Sequence, residues 1–384
     1  MSSAQFKDAQ ALMLSRIEAT STAALHGLPH VADSETGEWT MTPDGDWTGG
    51  AWVGELWLAY LIDAARFSLT DVHRALALLA PRIDKKTAFK GFGFYYGAAI
   101  GGILFDDLLG RKAALQAAKS LADMFDERLG LIPLGEEAEE ASSTGPAESS
   151  IDSLQASALL FWAASELADP RLEDIARRHT KRVLENHVRE DGSVIQSSTL
   201  DGQSGEIIRT HTHKGYSDTS TWGRAQAWAM LYSAHAAVVR PDEPLWLEYA
   251  TRTADWWMAY VPADKVSFWD FDDPDIPATS RDTAATAIAT AALLRLSHAL
   301  DCDGRASTYE SFAKQSVASL ITGYLTPCRP NDERPVGMLT GGCFTRRSTV
   351  RSVDAGTNLE LIFGSYFLFE SLAVLSGSIP AGCI

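Results

Sequence analysis

The hydrophobic pattern of the chain repeats a two-helix unit six times. Apolar segments rich in alanine and glycine begin near Trp52, Tyr95, Asp152, Trp222, Thr283 and Asn358. An amphipathic segment follows each of the first five, and the N-terminal segment can serve as the polar partner of the sixth. Helices that are apolar on all sides pack in an interior, whereas amphipathic helices face water. The pattern therefore predicts an all-α fold, an (α/α)6 barrel or six-hairpin toroid, with six inner and six outer helices.

Residues 1–384 are predicted to form a single domain, although this length also fits two. The stretch GEEAEEASSTGPAESS has the composition of a linker but falls inside one repeat. We therefore interpret it as a long surface loop. Its first four glutamates are expected to form a solvated acidic patch: Glu136, Glu137, Glu139 and Glu140.

The chain is 46% hydrophobic, enough for a large core. Its formal net charge of −17 argues against a nucleic-acid partner. Its N-terminal segment lacks the apolar region of a secretion signal, and no apolar run reaches membrane length. A soluble cytoplasmic protein without a membrane partner is the prediction. Four cysteines without metal-ligand spacing are expected to be free thiols: Cys302, Cys328, Cys343 and Cys383. Nothing in the sequence indicates an oligomeric state.

Acidic, hydroxyl and aromatic residues precede nearly every predicted inner helix. All inner helices of such a barrel begin at the same end, so these residues should surround one opening. They include Trp47, Asp152, Asp218, Trp222, Arg224, Asp282 and Asp354. An aspartate before a helix usually caps its free amides, and we expect this role for Asp218, Asp282 and Asp354.

Asp152 differs from the other three aspartates. Ser149 and Ser150 can already cap the helix that follows, so the carboxyl group of Asp152 is free to point into the opening. Burial beside an apolar helix would raise its pKa, which suits a general acid near neutral pH. Asp152 is the predicted catalytic residue.

Arg224 and Trp228 are four residues apart and so share one helix face. A guanidinium group beside an indole suits a ligand with a carboxylate and an apolar ring face. Trp47 and Trp222 can add stacking surfaces for a sugar, with core packing as the alternative. The pair His211 and His213 lacks further ligand spacing, so no metal site and no cofactor are predicted. The absence of a G-x-S-x-G motif argues against a serine hydrolase.

Four segments resemble the unsaturated glucuronyl hydrolases, family 88 of the glycoside hydrolases: DWTGGAWVGELWLAY, SSIDSLQASALLFWA, GYSDTSTWGRAQAWAM and DFDDPDIPATSRDTAATAIA. The resemblance implies an (α/α)6 barrel without a required metal. It implies hydration of the C4=C5 bond of an unsaturated uronic acid at the end of a short acidic oligosaccharide, with Asp152 as acid and then base. It also implies a substrate pocket formed by Trp47, His213, Trp222, Arg224 and Trp228.

Three positions depart from the family pattern. A family His-Asp-x-Gly-Phe motif reads FKGFGFYY here, which puts Gly91 in the place of the aspartate with Lys90 beside it. Gln196 replaces a histidine and Lys214 replaces a glutamine. We expect Lys90, Gln196 and Lys214 to line the pocket. The loss of a carboxylate and the gain of lysines should make it more receptive to anions, and the changes together should shift the substrate or reaction. A glycosidase or lyase for another acidic glycoside, or a non-catalytic sugar-acid-binding protein, are the alternatives.

Overall fold

The computed structural model of the protein describes residues 3–24, 26–141, 145, 148–300, 304–330, 332–347 and 354–384. Its helices, in chain order, are α1 (Ser3–Ala23), α2 (Gly49–Ile62), α3 (Leu69–Leu79), α4 (Lys90–Phe94), α5 (Ile100–Phe105), α6 (Leu108–Ala122), α7 (Ala156–Leu167), α8 (Pro170–His187), α9 (Gly223–Val239), α10 (Pro244–Tyr260), α11 (Thr283–Ala299), α12 (Ala306–Gly323) and α13 (Ile362–Leu375). A π-helical turn, Tyr95–Ala99, joins α4 to α5, and a 3₁₀ turn, Ile151–Gln155, leads into α7. The protein is helix-rich, as predicted.

The helices divide into an inner and an outer set, as the hydrophobic pattern predicts. Every residue of α11 from Thr283 to Leu296 is buried, whereas α8 buries one face that includes Leu172, Ile175 and Val183. The inner set comprises α2, the α4–α5 pair, α7, α9, α11 and α13. Each inner member contacts the next in chain order, and α13 contacts α2.

The N-terminal helix α1 packs against the sixth inner helix, α13, which confirms the partner predicted for it. Buried Arg16 of α1 forms an ion pair with Glu360, 2.6 Å between Nη2 and Oε2, just before α13. Residues 344 positions apart in sequence are thereby joined.

The described ranges contain six short strands, which the hydrophobic pattern does not reveal and which form two three-stranded antiparallel sheets. They are β1 (Leu28–Asp33), β2 (Trp39–Thr42), β3 (Ser149–Ser150), β4 (Ser197–Leu200), β5 (Ile207–His211) and β6 (Leu359–Leu361). The sheet orders are β2-β1-β6 and β3-β4-β5. Because β6 pairs with β1, the sixth inner helix begins at Ile362, later than the predicted Asn358.

Cys328, Cys343 and Cys383 carry free thiols, as expected, and Cys302 lies outside the described residues. Of the helices in the described ranges, none has the length and apolar character needed to cross a lipid bilayer.

Candidate active site

The β3-β4-β5 sheet brings the predicted site residues together. Ser150 pairs with Ser197, and Ser197 pairs with His211 on the other side. Asp152 follows Ser150 by two residues, Gln196 directly precedes Ser197, and His213 follows His211 by two residues. Sheet register therefore places side chains from three separate parts of the chain beside one another.

Asp152 lies in the 3₁₀ turn before α7, and its side chain does not cap the turn, as predicted. Ser150 caps the turn, because its Oγ accepts from the Asp152 backbone N–H at 3.2 Å. The Asp152 Oδ2 accepts from Ser150 Oγ at 3.0 Å and from Gln196 Nε2 at 3.1 Å. Asp152 is 3% exposed. Burial raises its pKa, the Glu140 carboxylate raises it further, and Lys214, Gln196 and His213 act against this.

Glu140 belongs to this cluster, and its assignment to a solvated acidic patch was wrong. One carboxylate oxygen binds the Lys214 ammonium, and the other lies 2.9 Å from His213 Nε2. Burial alone would raise the pKa of Glu140, but Lys214 and His213 outweigh it and hold the pKa well below its usual range. Glu139 is also covered and pairs with Arg82, whereas Glu136 and Glu137 are exposed as expected.

Lys214 lies at the centre of an aromatic enclosure. Its Nζ is 5.7 Å from the ring centroid of Trp47, 5.5 Å from that of Trp222 and 5.4 Å from that of Phe344. These distances allow cation–π attraction. Its charge is neutralised by Glu140, so the expectation that Lys214 adds free positive charge to the pocket is not supported.

Gln196 connects the two carboxyl groups of the cluster. Its Nε2 donates to Asp152 and lies 3.4 Å from His213 Nε2, while its Oε1 accepts from Thr212 Oγ1 at 2.6 Å. The side-chain amide of Gln196 is thus fixed between Asp152 and the two residues that bind Glu140, His213 and Lys214. The structure places Gln196, His213 and Lys214 in contact with one another, as the sequence predicts.

Arg224 and Trp228 do not form an open binding face in this structure. Arg224 donates to Asp282 Oδ2 at 2.5 Å and to the backbone carbonyls of Cys343 and Phe344, and it is 1% exposed. Trp228 is fully buried among aromatic rings, including Tyr232. The guanidinium also lies 4.4 Å from the ring centroid of Trp222. Arg224 therefore fixes the segment that carries Phe344 against α9.

Lys90 is not in the cluster, contrary to the prediction. Its Nζ donates to the Ile83 carbonyl at 3.1 Å and to Ser120 Oγ at 2.6 Å. It lines a separate cleft of about 680 Å³ whose other lining residues include Asp84, Asp123 and Met124. Burial lowers the pKa of Lys90 to about 8.

The register that sets Gly91 in the place of the family aspartate stays a prediction. A Cβ at Gly91 would lie 2.5 Å from the Cα of Ala156, so the backbone of α4 comes very close to the start of α7 here. This position therefore offers no carboxylate to the cluster.

The remaining polar residues of the predicted rim have structural roles. Asp282 caps α11 by accepting from the Ala284 and Ala285 amides, as expected. The capping role expected for Asp218 and Asp354 was wrong, since Asp218 accepts from the Thr212 amide and Asp354 pairs with His30.

His211 and His213 bind different carboxylates, which separates their roles. His211 pairs with Glu148 at 2.6 Å, and His213 pairs with Glu140. Across the described part of the chain, no group of three or more potential ligands is arranged to hold a metal ion.

Comparison with known proteins relates this arrangement to one enzyme family. The unsaturated glucuronyl hydrolase of Bacillus sp. strain GL1 is 31% identical over 349 residues, which cover 90% of this chain and 89% of that protein. The unsaturated chondroitin disaccharide hydrolase of Streptococcus pneumoniae is 29% identical over 341 residues, covering 85% and 81%. The crystal structure of the Bacillus sp. GL1 enzyme superimposes with a TM-score of 0.86 at 28% identity, covering 96% of each chain. No family model matches the chain.

Proposed function

Because the chain belongs to the unsaturated glucuronyl hydrolase family, family 88 of the glycoside hydrolases, we propose that it hydrates the C4=C5 bond of an unsaturated uronic acid at the end of a short oligosaccharide. The observation that carries this proposal is the buried Asp152. Its carboxyl group is held by Ser150 and Gln196 and is shifted toward the protonated form. A protonated carboxyl group is what the first step of the reaction needs.

The reaction requires one proton donor and one water molecule. Asp152 delivers its proton to C4, which leaves positive charge shared between C5 and the ring oxygen. The Asp152 carboxylate then takes a proton from water as the oxygen bonds to C5. The resulting hemiketal opens by breaking the bond from C5 to the ring oxygen, which leaves a ketone at C5 and a hemiacetal at C1. The hemiacetal then breaks its bond to the glycosidic oxygen, which takes up the hemiacetal proton, and the remaining saccharide leaves while C1 becomes an aldehyde. One carboxyl group thus serves in both steps, unlike the paired carboxylates of most glycosidases.

The side chains around Asp152 provide the substrate contacts in this proposal. Gln196, His213 and Lys214 face Asp152 or its partners, and Trp47 and Trp222 present rings next to Lys214. We assign Arg224 and Trp228 to the support of this pocket, given their burial and contacts. The relatives are named for unsaturated glucuronyl and chondroitin disaccharide substrates, which supports a small acidic oligosaccharide as ligand.

A single ultraviolet trace separates the proposed reaction from its alternatives. The protein is mixed with an unsaturated chondroitin disaccharide, and the absorbance of the conjugated double bond is followed. Hydration removes the double bond, so we expect the absorbance to fall. A lyase acting on an intact acidic glycoside would instead create absorbance. If the absorbance stays constant both with the unsaturated disaccharide and with an intact acidic glycoside, the hydrolase proposal is contradicted. A sugar-acid-binding protein would then remain, and calorimetry with the same disaccharide would detect the binding.

Replacing Lys90 tests the corrected position of this residue. We expect Lys90→Met to retain the hydration rate within about twofold, because the ammonium group contacts Ile83 and Ser120 and not the Asp152 cluster. Lys214→Met is the matched comparison and should slow the reaction at least about tenfold, since it leaves the Glu140 carboxylate buried without its cation. Equal losses in the two variants would contradict the assignment.

We propose in addition that the six inner members close into an (α/α)6 barrel. The contact of α13 with α2 completes the cyclic order, which supports this reading. The single-domain organisation and the cytoplasmic location remain predictions from the sequence.

A further inference from the structure

Residues 135–141 and Glu148, together called the acidic strap below, are tied to the rest of the protein by three acid–base pairs. Glu139 pairs with Arg82, Glu140 with Lys214 and His213, and Glu148 with His211. The pair made by Glu140 differs from the other two because its partners are site residues.

Lys214 and His213 together bind one carboxylate with both of its oxygens. The ammonium group takes Glu140 Oε1, and His213 Nε2 lies 2.9 Å from Oε2. Three aromatic rings, those of Trp47, Trp222 and Phe344, lie around the ammonium group. A cation and an imidazole in this arrangement can bind both oxygens of a carboxylate, and the apolar faces beside them suit the ring that carries it.

The occupied site is continuous with the proposed acid. His213 Nε2, which lies 2.9 Å from Glu140 Oε2, is also 3.4 Å from Gln196 Nε2, and Gln196 Nε2 donates to Asp152 Oδ2 at 3.1 Å. An unsaturated uronic acid carries its carboxylate on C5, the neighbour of the C4 atom that Asp152 must protonate. The carboxylate of a bound uronide therefore needs a receptor close to Asp152, and Glu140 occupies one.

Asp152 cannot reach a sugar while the cluster is buried as it is in this structure. Asp152 is 3% exposed, Lys214 2% and His213 6%. A general acid must come within hydrogen-bond reach of the atom that it protonates. The cluster must therefore open before a uronide can react, and the carboxylate of that uronide can bind Lys214 and His213 only after Glu140 releases them.

We propose that Glu140 is an internal competitor for the carboxylate of the substrate: it occupies the Lys214–His213 receptor in the free protein, and a uronide displaces it. The identity of the competing ligand rests on the proposed function. The exchange replaces one carboxylate by another, so Lys214 stays neutralised throughout. A neutral sugar in the same place would leave a buried ammonium group unpaired, which is costly. The receptor thus selects sugar acids over neutral sugars by the penalty it imposes on the latter.

The test measures binding of a saturated ligand pair that the enzyme does not turn over. Methyl β-D-glucuronide and methyl β-D-glucoside are titrated by calorimetry into wild type, Glu140→Gln and Glu139→Gln at neutral pH and constant salt. Glu140→Gln keeps the shape of the side chain and removes the competing charge. We expect it to bind the glucuronide about tenfold more tightly, with no gain for the glucoside, because the receptor no longer needs to be vacated. Glu139→Gln, which loosens the strap at Arg82 only, should show no gain for either ligand.

Several results would overturn the proposal. One is that Glu140→Gln binds the glucuronide no more tightly than wild type does, or that neither protein binds it measurably. Another is that Glu140→Gln gains the same affinity for both sugars, which would indicate that the substitution only loosens the strap. Hydrogen exchange of wild type adds a measurement that needs no variant. Glucuronide should speed amide exchange in residues 135–141, and protection or no change there would also overturn it. None of these measurements requires turnover. If wild type showed no hydration activity, the proposed function would therefore be contradicted while the proposal for Glu140 would still be tested by binding.

Discussion

Asp152→Asn is expected to lower the rate of double-bond hydration by about 10³-fold, within the range that a positioned general acid contributes. The asparagine amide occupies the same volume, and its oxygen can still accept from Ser150 and Gln196. It has no proton of suitable acidity to give to C4, and it cannot afterwards take one from water. The measurement is the initial rate of absorbance loss with an unsaturated chondroitin disaccharide.

The stability of Asp152→Asn provides the control for this experiment. Burial raises the pKa of Asp152 in the folded protein, so the folded state holds its proton more tightly than the unfolded state does. The stability associated with this proton is present below the unfolded pKa and is lost as the pH rises through the folded pKa. At neutral pH the uncharged asparagine should therefore fold at least as well as wild type. A variant that folds and keeps the full rate would show that Asp152 only orders the turn before α7.

Arg224→Leu is expected to lower the free energy of unfolding by about 3–5 kcal/mol, the usual cost of removing one partner of a buried ion pair. Asp282 is fully buried, and the carbonyls of Cys343 and Phe344 would lose their donor. Burial already raises the pKa of Asp282 even with Arg224 present. Urea denaturation followed by far-ultraviolet circular dichroism gives the loss.

The double variant Arg224→Leu with Asp282→Asn separates a structural role from a substrate role. Removing both charges eliminates the unpaired carboxylate, so part of the lost stability should return, although the α11 cap then rests on the weaker asparagine oxygen. If Arg224→Leu kept full stability and lost only uronide binding, the guanidinium would be a substrate ligand, as the sequence first indicates.

The helical repeat and the position of Asp152 were predictable because both depend on local patterns. Apolar residues all around a helix indicate an inner position, and a serine two residues before an aspartate can take over the cap. Ser150 does so. The short strands were not predictable in this way. β3 contains two residues and exists through its pairing with β4, 47 residues later at Ser150 and Ser197.

The role of Glu140 was missed because it depends on residues far away in sequence. The surrounding stretch is rich in glutamate, serine and glycine, a composition typical of solvent-exposed loops. The cation that pairs with the buried Glu140 is Lys214, 74 residues later, which the sequence shows only as a departure from a family glutamine. Lys90 was assigned to the pocket from its place beside Gly91 in the motif, but its ammonium group reaches the Ile83 carbonyl and Ser120 instead.

The packing of α1 against α13 has a consequence for synthesis on the ribosome. Arg16 is made early, but its partner Glu360 emerges 344 residues later. Until then α1 has no α13 to cover and the buried arginine has no carboxylate. Helix α1 is therefore translated before α2 to α13 and yet is among the last of them to pack in its final place, so the order of translation and the order of assembly are opposite at this contact.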